Sequence, residues 1–184
     1  MAYQRRRNKR IVIKHAVMQW RPNFGGDPDR NFNPEDTSRN FTVIVEDNNE
    51  NMEYGFPGEM KPLKVEDLID DGWNVKWTKP DDDGNQVAYI PVTVSYKRSA
   101  PQIIKAIGGP DNRMRLQEDT VGTLDDDYIL DIDIVTIEGS RWEVMSNSGT
   151  KGYLVNMFVT VEDDPFMRQY GDFESVDEND GLPF

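Results

Sequence analysis

The chain of 184 residues has no cysteine and a single histidine, His15. Disulfides, thiol nucleophiles, cysteine-based zinc sites and any Ser-His-Asp arrangement not built on that one imidazole are excluded. No apolar run approaches the roughly 20 residues a spanning helix needs, and the N-terminus lacks the apolar segment of a signal peptide. A soluble, cytoplasmic protein without membrane contact is expected. No phosphate-cradling lysine loop or dinucleotide glycine pattern occurs, and Gly25-Gly26 and Gly108-Gly109 read as turns. What the length does allow is one domain with a buried core, with or without tails.

The formal net charge is −13, unevenly placed. From Glu162 to Phe184 there are eight acidic residues and one basic, giving −7, and the rest of the chain carries −6. The opening has the opposite sign: Arg5, Arg6, Arg7, Lys9, Arg10 and Lys14 all precede the first acidic residue, Asp27. Such asymmetry points to nucleic-acid contact at one end and protein contact at the other. The expected division is a basic arm over residues 1–10, a folded domain over 11–165 and an acidic tail over 166–184. Beyond about Asp172 the apolar density is too low for order, although Phe166, Met167, Tyr170 and Phe173 are spaced for one helical turn against the body.

The tail runs through Glu174-Ser175-Val176-Asp177-Glu178-Asn179-Asp180 into Gly181-Leu182-Pro183-Phe184. Phe184 offers a rigid apolar anchor, Pro183 restricts the backbone before it, and a terminal carboxylate suits a basic pocket on a partner. Asp177, Glu178, Asp180, Leu182, Pro183 and Phe184 are the candidate partner-binding residues.

Along the body, Ile11 to Trp20 is β-biased and stops at the turn cluster Arg21 to Pro28; Phe41 to Glu46 reads as a short buried strand, and Asp47 to Pro62 as a polar insertion without clear periodicity. Lys64 to Asp70 predicts a short helix with Val65, Leu68 and Ile69 on one face, stopped by Asp71-Gly72. Trp73 to Thr78 alternates, with Trp73, Val75 and Trp77 opposite Asn74, Lys76 and Thr78. Lys79 to Asn85 suits a hairpin turn, and Val87 to Lys97 returns with Ala88, Ile90, Val92, Val94 and Tyr96 inward and Tyr89, Pro91, Thr93, Ser95 and Lys97 outward. Pro91 argues for an edge or a bulge. Ile103 to Ile107 is extended and leads through Gly-Gly-Pro into a polar loop with Arg113 and Arg115. Tyr128 to Glu138, Trp142 to Met145 and Gly152 to Glu162 complete the set, with Leu130, Ile132 and Ile134 alternating against Asp131 and Asp133. Many short strands and little helix indicate a mainly β barrel or sandwich.

A single-strand binder needs cations to follow phosphates and rings on which bases of any identity stack. The sequence repeatedly puts the two together: Trp20-Arg21, Phe24 and Phe32 near Arg30, Arg39 before Phe41, Lys76 between Trp73 and Trp77, Tyr89 on a face with Lys97, Lys97-Arg98, Arg141-Trp142, and Lys151 near Tyr153. For Trp73, Trp77, Phe41 and Tyr96 apolar packing is the cheaper reading, whereas Tyr89, Trp20 and Trp142 sit opposite apolar faces or beside turns. Asp81-Asp82-Asp83, Asp125-Asp126-Asp127 and Asp131-x-Asp133 raise a metal-dependent nuclease as an alternative, but the Asp81 loop lacks EF-hand spacing, and turns or a solvated strand face account for all three. A further alternative is an acidic interaction module, either a DNA mimic or an assembly protein.

The Leu-Pro-Phe tip behind an acidic run resembles the C-terminal tip of single-stranded-DNA-binding proteins. The body is similar to such proteins encoded by tailed bacteriophages through Arg39-Asn40-Phe41-Thr42-Val43, Leu68-Ile69-Asp70-Asp71-Gly72-Trp73-Asn74-Val75-Lys76, the Tyr89 to Ser95 strand and the closing Gly152 to Val161 strand. The N-terminal arginines and the 47–62 insertion lie outside the resemblance. It implies an OB-like five-stranded barrel with insertions and one short helix, no catalysis and no cofactor. The resemblance further implies coating of single-stranded DNA in replication and recombination, with the tail recruiting polymerase, helicase or nuclease. The oligomeric state stays open, a homo-oligomer included. The expected DNA-binding residues are drawn from Arg39, Trp73, Lys76, Trp77, Tyr89, Lys97, Arg98, Trp142, Lys151 and Tyr153.

Overall fold

Among the described residues, alternating apolar and polar side chains build ten strands, joined by one α-helix and two short 3-10 turns: β1 Arg10–Ala16, β2 Arg39–Val45, β3 Met52–Phe56, β4 Glu59–Pro62, α1 Val65–Asp70, β5 Lys76–Trp77, β6 Ala88–Val94, β7 Gln102–Ile107, β8 Arg113–Leu116, β9 Ile129–Val144 and β10 Asn147–Val161. The structure is a computed structural model that describes residues 7–31, 35–97 and 99–163. The acidic tail, the expectations of order and disorder attached to it, most of the basic arm and Arg98 lie outside the described residues. Among the described residues no helix is long and apolar enough to cross a membrane.

The strands share one sheet in the order β2-β6-β10-β9-β1-β3-β4, with β5 on β6, β7 on β10 and β8 on β7. The mainly β class expected from the sequence is what the chain adopts. Among the described residues the ladder path β2 to β4 does not close on itself into a barrel. The 47–62 insertion, expected to lack periodicity, forms the β3–β4 hairpin, and β3 pairs with the edge of β1 that does not face β9. The chain leaving β1 still meets β2 through isolated bonds, Ile44 N–H to Val17 O at 2.9 Å and the Asn23–Asn40 bridge. Met52 and Tyr54 point into the core from β3, an alternation too short to stand out among the surrounding turn formers.

The core is lined by Ile11 and Ile13 from β1, Phe41, Val43 and Val45 from β2, Ile90 and Val92 from β6, and Val135, Ile137, Leu154, Met157 and Val159 from the central hairpin. Each such side chain contributes about 1.5–3 kcal/mol by leaving water. Helix α1 closes one end with Val65 and Leu68, while Ile69, expected on the same face, is 49% exposed. Two strands expected separately, 128–138 and 142–145, are one continuous β9, which turns at Met145-Ser146 into β10. Arg113 and Arg115, expected in a loop, belong to β8. The expected inward set Leu130, Ile132 and Ile134 breaks up because the register shifts by one residue at Asp133: Ile132 is buried, whereas Ile134 pairs with Phe158 on the outer face.

Candidate nucleic-acid interface

Residues directly paired across a sheet project to the same side. The pairs Asn40↔Thr93, Thr93↔Tyr153, Tyr153↔Glu138 and Glu138↔Arg10 therefore form an outward row across β2, β6, β10, β9 and β1. One step toward the β9–β10 turn, Ser140 pairs with Lys151, whose Nζ lies 5.5 Å from the centre of the Tyr153 ring. A cleft of ≈ 620 Å³ lies along this row, lined by Asn8, Arg10, Ser95, Glu138, Ser140 and Tyr153 among others.

A second cleft arises from strand lengths. β5 reaches β6 at Ala88 and Tyr89, and β10 reaches β6 at Thr93, leaving the intervening stretch unpaired on that side. Pro91, which has no N–H to donate, sits in this gap. The resulting notch of ≈ 600 Å³ is bordered by Asn40, Pro91, Thr93, Trp142 and Lys151. Trp142, 43% exposed, covers its cross-strand partner Gly149, where a Cβ would stand 2.8 Å from the indole. Asp36 adds one negative charge to the rim, because hydrogen bonds from the Ser38 hydroxyl and amide hold its carboxyl below the usual range.

Farther along β6, Tyr89 pairs with Ile44 on one side and Lys76 on the other. Trp20 stands edge-on to Tyr89 at 6.0 Å and is 55% exposed, with its backbone N–H donating to Thr42 Oγ1 at 3.2 Å. Lys76, Lys97 and Lys151 are exposed and form no ion pair with any described residue. Tyr89, Tyr153, Trp142, Lys76 and Lys151 thus lie together around one surface, with Lys97 in the turn after β6. Trp77 is exposed but paired with Ala88, on the side of β5 opposite Lys76.

Two expected site residues are held by contacts inside the fold, although Trp73 also lines the notch. Trp73 is 5% exposed. Its ring lies in a slot made by Gly139 and Gly152, where added Cβ atoms would come within 2.5 Å and 2.9 Å. Its Nε1 donates to the Tyr54 hydroxyl at 2.9 Å, which donates to Asp71 Oδ2 at 2.6 Å, and Lys9 Nζ donates to the same oxygen at 2.8 Å. Burial, reinforced by Asp71, pushes the Tyr54 phenol up. Burial opposes ionisation of Asp71, but the bonds from Lys9 and Tyr54 outweigh it and hold the carboxyl below its ordinary value. Trp73 belongs to the core and has no face for a base. Arg39 is also corrected: its guanidinium sits 5.2 Å from the Tyr96 ring centre and 3.5 Å from Glu118, and its Nε is buried without a hydrogen-bond partner. It braces β2 against the 96–118 region. Arg98, Asp177, Glu178, Asp180, Leu182, Pro183 and Phe184 lie outside the described residues.

The acidic patches are tied into the fold. Asp81 accepts from the amides of Asp83 and Asn85; Asp125 accepts from those of Phe24 and Gly25 at 2.7 and 2.8 Å; Asp127 takes the buried Lys105 at 2.6 Å. Asp131 pairs with His15 and Asp133 accepts from Thr160, both at 2.8 Å. No group of three or more metal-ligating side chains is found among the described residues.

Sequence reading missed Asn40, Thr93 and Ser140, which floor the clefts. The alternation of Asn40 and Thr42 against Phe41 and Val43 was the available signal. A family model described as "Putative phage ssDNA-binding domain" matches residues 1–181. No curated protein and no solved structure matches the chain. Matched over residues 1–181 by that model, the chain belongs to the family of phage single-stranded-DNA-binding domains.

Proposed function

We propose that the chain binds single-stranded DNA without sequence preference, coating and protecting it in phage replication, recombination or repair, and that residues 166–184 recruit polymerase, helicase or nuclease. The observation that carries the binding role is the sharing of one outer surface by Tyr89, Tyr153 and Trp142 with the exposed lysines Lys76 and Lys151. Each base stacked on a ring contributes about 1–3 kcal/mol and every base has such a face, so two or three contacts suffice without reading sequence. The role proposed is binding without catalysis; the clustered carboxylates Asp81, Asp125, Asp127, Asp131 and Asp133 hold backbone amides, Lys105, His15 and Thr160.

Titration of the full chain with oligo-dT, followed by tryptophan fluorescence, tests this. Quenching through Trp142 and Trp20, micromolar or tighter affinity at low salt, and a log–log salt slope of about −0.7 per phosphate contacted are expected. Unchanged fluorescence with no gel shift at low salt eliminates the reading. In the same assay a chain ending at Asp163 binds at least as tightly, because an anionic segment competes for the same lysines, yet no longer retains replication proteins. Loss of DNA binding on that truncation contradicts the role given to the tail.

A further inference from the structure

The outer face has a second end. Past the Tyr153 row, the register sets Lys14 beside Ile134, Ile134 beside Phe158, Phe158 beside Ile104, and Ile104 beside Arg115. The row runs across β1, β9, β10, β7 and β8 as cation, aliphatic, ring, aliphatic, cation. Arg113, paired with Ala106, lies two residues from Arg115 on the same face. Phe158 is 36% exposed and lines a cleft of ≈ 450 Å³ with Ile104, Arg113, Asp133, Ile134 and Thr160. Lys14, Arg113 and Arg115 are exposed and form no ion pair with a described residue. The nearby carboxylates are engaged locally, Asp133 by Thr160 and Asp131 by His15.

We propose that this end is a second single-strand contact, with Phe158 stacking a base and Lys14, Arg113 and Arg115 meeting phosphates on either side; it rests on the DNA-binding reading above. An apolar patch alone would fit a protein surface. Uncompensated cations at both ends of the row favour a polyanion with flat apolar groups, which is the chemistry of a nucleic-acid strand. Tyr153 and Phe158 are five residues apart on β10, about 16 Å at the usual strand rise, so one continuous strand can engage both ends.

The test uses the full chain and oligo-dT of increasing length, from about 4 to about 16 nucleotides, the range of sites that such surfaces occupy. Two variants are compared with the parent: Phe158→Leu, which keeps the apolar cover and removes the ring, and the double change Lys14→Gln with Arg115→Gln. Both sites are exposed, and thermal melting confirms folding. Wild-type affinity should rise in two steps with length. Both variants should keep short-oligonucleotide affinity within about twofold and lose about fivefold or more on the longest oligonucleotide. The double change should also flatten the salt slope by about 0.7 for each cation removed. Variants that bind the longest oligonucleotide as wild type does overturn the proposal. So does a change in sedimentation without a change in DNA affinity, which assigns the patch to contact between copies. If the wild type binds no oligonucleotide of any length, the parent reading fails along with this one. If it binds and the variants match it, only the second contact fails.

Discussion

The β9–β10 hairpin presents two opposite environments within one residue step. On its inner side the directly paired Gly139 and Gly152 leave a slot in which Trp73 is buried, its N–H passed through Tyr54 to Asp71 and Lys9. On its outer side the adjacent pair Glu138 and Tyr153, with Ser140 and Lys151 beyond it, faces solvent above a cleft. Both sides combine a ring with a lysine. The inner lysine forms a 2.8 Å ion pair inside the fold, whereas Lys151 forms no ion pair with a described residue and feels Asp36 only at longer range. Ring and cation in proximity therefore do not by themselves mark a binding surface; what separates the two sides is whether a carboxylate inside the fold holds the lysine.

The sharpest way to break this comparison is Trp73→Ala. It should cost about 3–5 kcal/mol of folding free energy, because the slot cannot collapse around two glycines and the Tyr54 hydroxyl loses its donor. Urea denaturation measures the loss, and the affinity of the molecules that remain folded for oligo-dT should stay at the wild-type value. A stable Trp73→Ala protein with weakened DNA binding would move Trp73 back to the interface.

The outer side predicts the reverse partition. Tyr153→Ala should weaken oligo-dT binding by about 1–3 kcal/mol. Lys151→Gln should flatten the salt slope by about 0.7, with both proteins melting within a few degrees of wild type. Equal losses of stability and affinity in Tyr153→Ala would mean that this ring, too, serves packing.

Much of the architecture was legible because burial follows period-two alternation. Ala88, Ile90, Val92 and Val94 point inward from β6 as expected, Tyr89 and Thr93 outward, and Val65 with Leu68 anchor the single helix. Features that depend on contacts between distant segments were not legible. Trp73 reads like Trp77 in sequence, and only the glycine pair some seventy residues downstream decides that one is buried and the other exposed. Arg39 was removed from the site by Tyr96 and Glu118, neither of which a local pattern connects to it. The β3–β4 hairpin hid in a polar insertion because its inward residues are only Met52 and Tyr54. The shift at Asp133 turned Ile134 outward toward Phe158, which no strict alternation anticipates. For the candidate site, the lysine and tyrosine of β10 were recognisable from their spacing, whereas the cleft beside them depends on where β5 ends and β10 begins along β6.

The smallest effect expected is the pH dependence of the inner network, and its sign differs at the two extremes. Asp71 titrates below its ordinary value of about 3.9 in the folded chain. The stability it contributes is present above that value and is lost as pH falls through the lower folded one. Tyr54 titrates above its ordinary value of about 10, so its contribution is complete below pH 10 and declines as pH rises toward the folded value. The Asp71 side chain is 35% exposed, and solvent screening limits its share to under about 1 kcal/mol. Asp71→Asn should flatten the acid limb of a urea-midpoint profile and Tyr54→Phe the alkaline limb. Neither should alter oligo-dT affinity at neutral pH, since Lys9, Asp71 and Tyr54 lie on the side of the hairpin away from the outer row. An unchanged acid limb in Asp71→Asn would reduce the inner network to a packing device around Trp73.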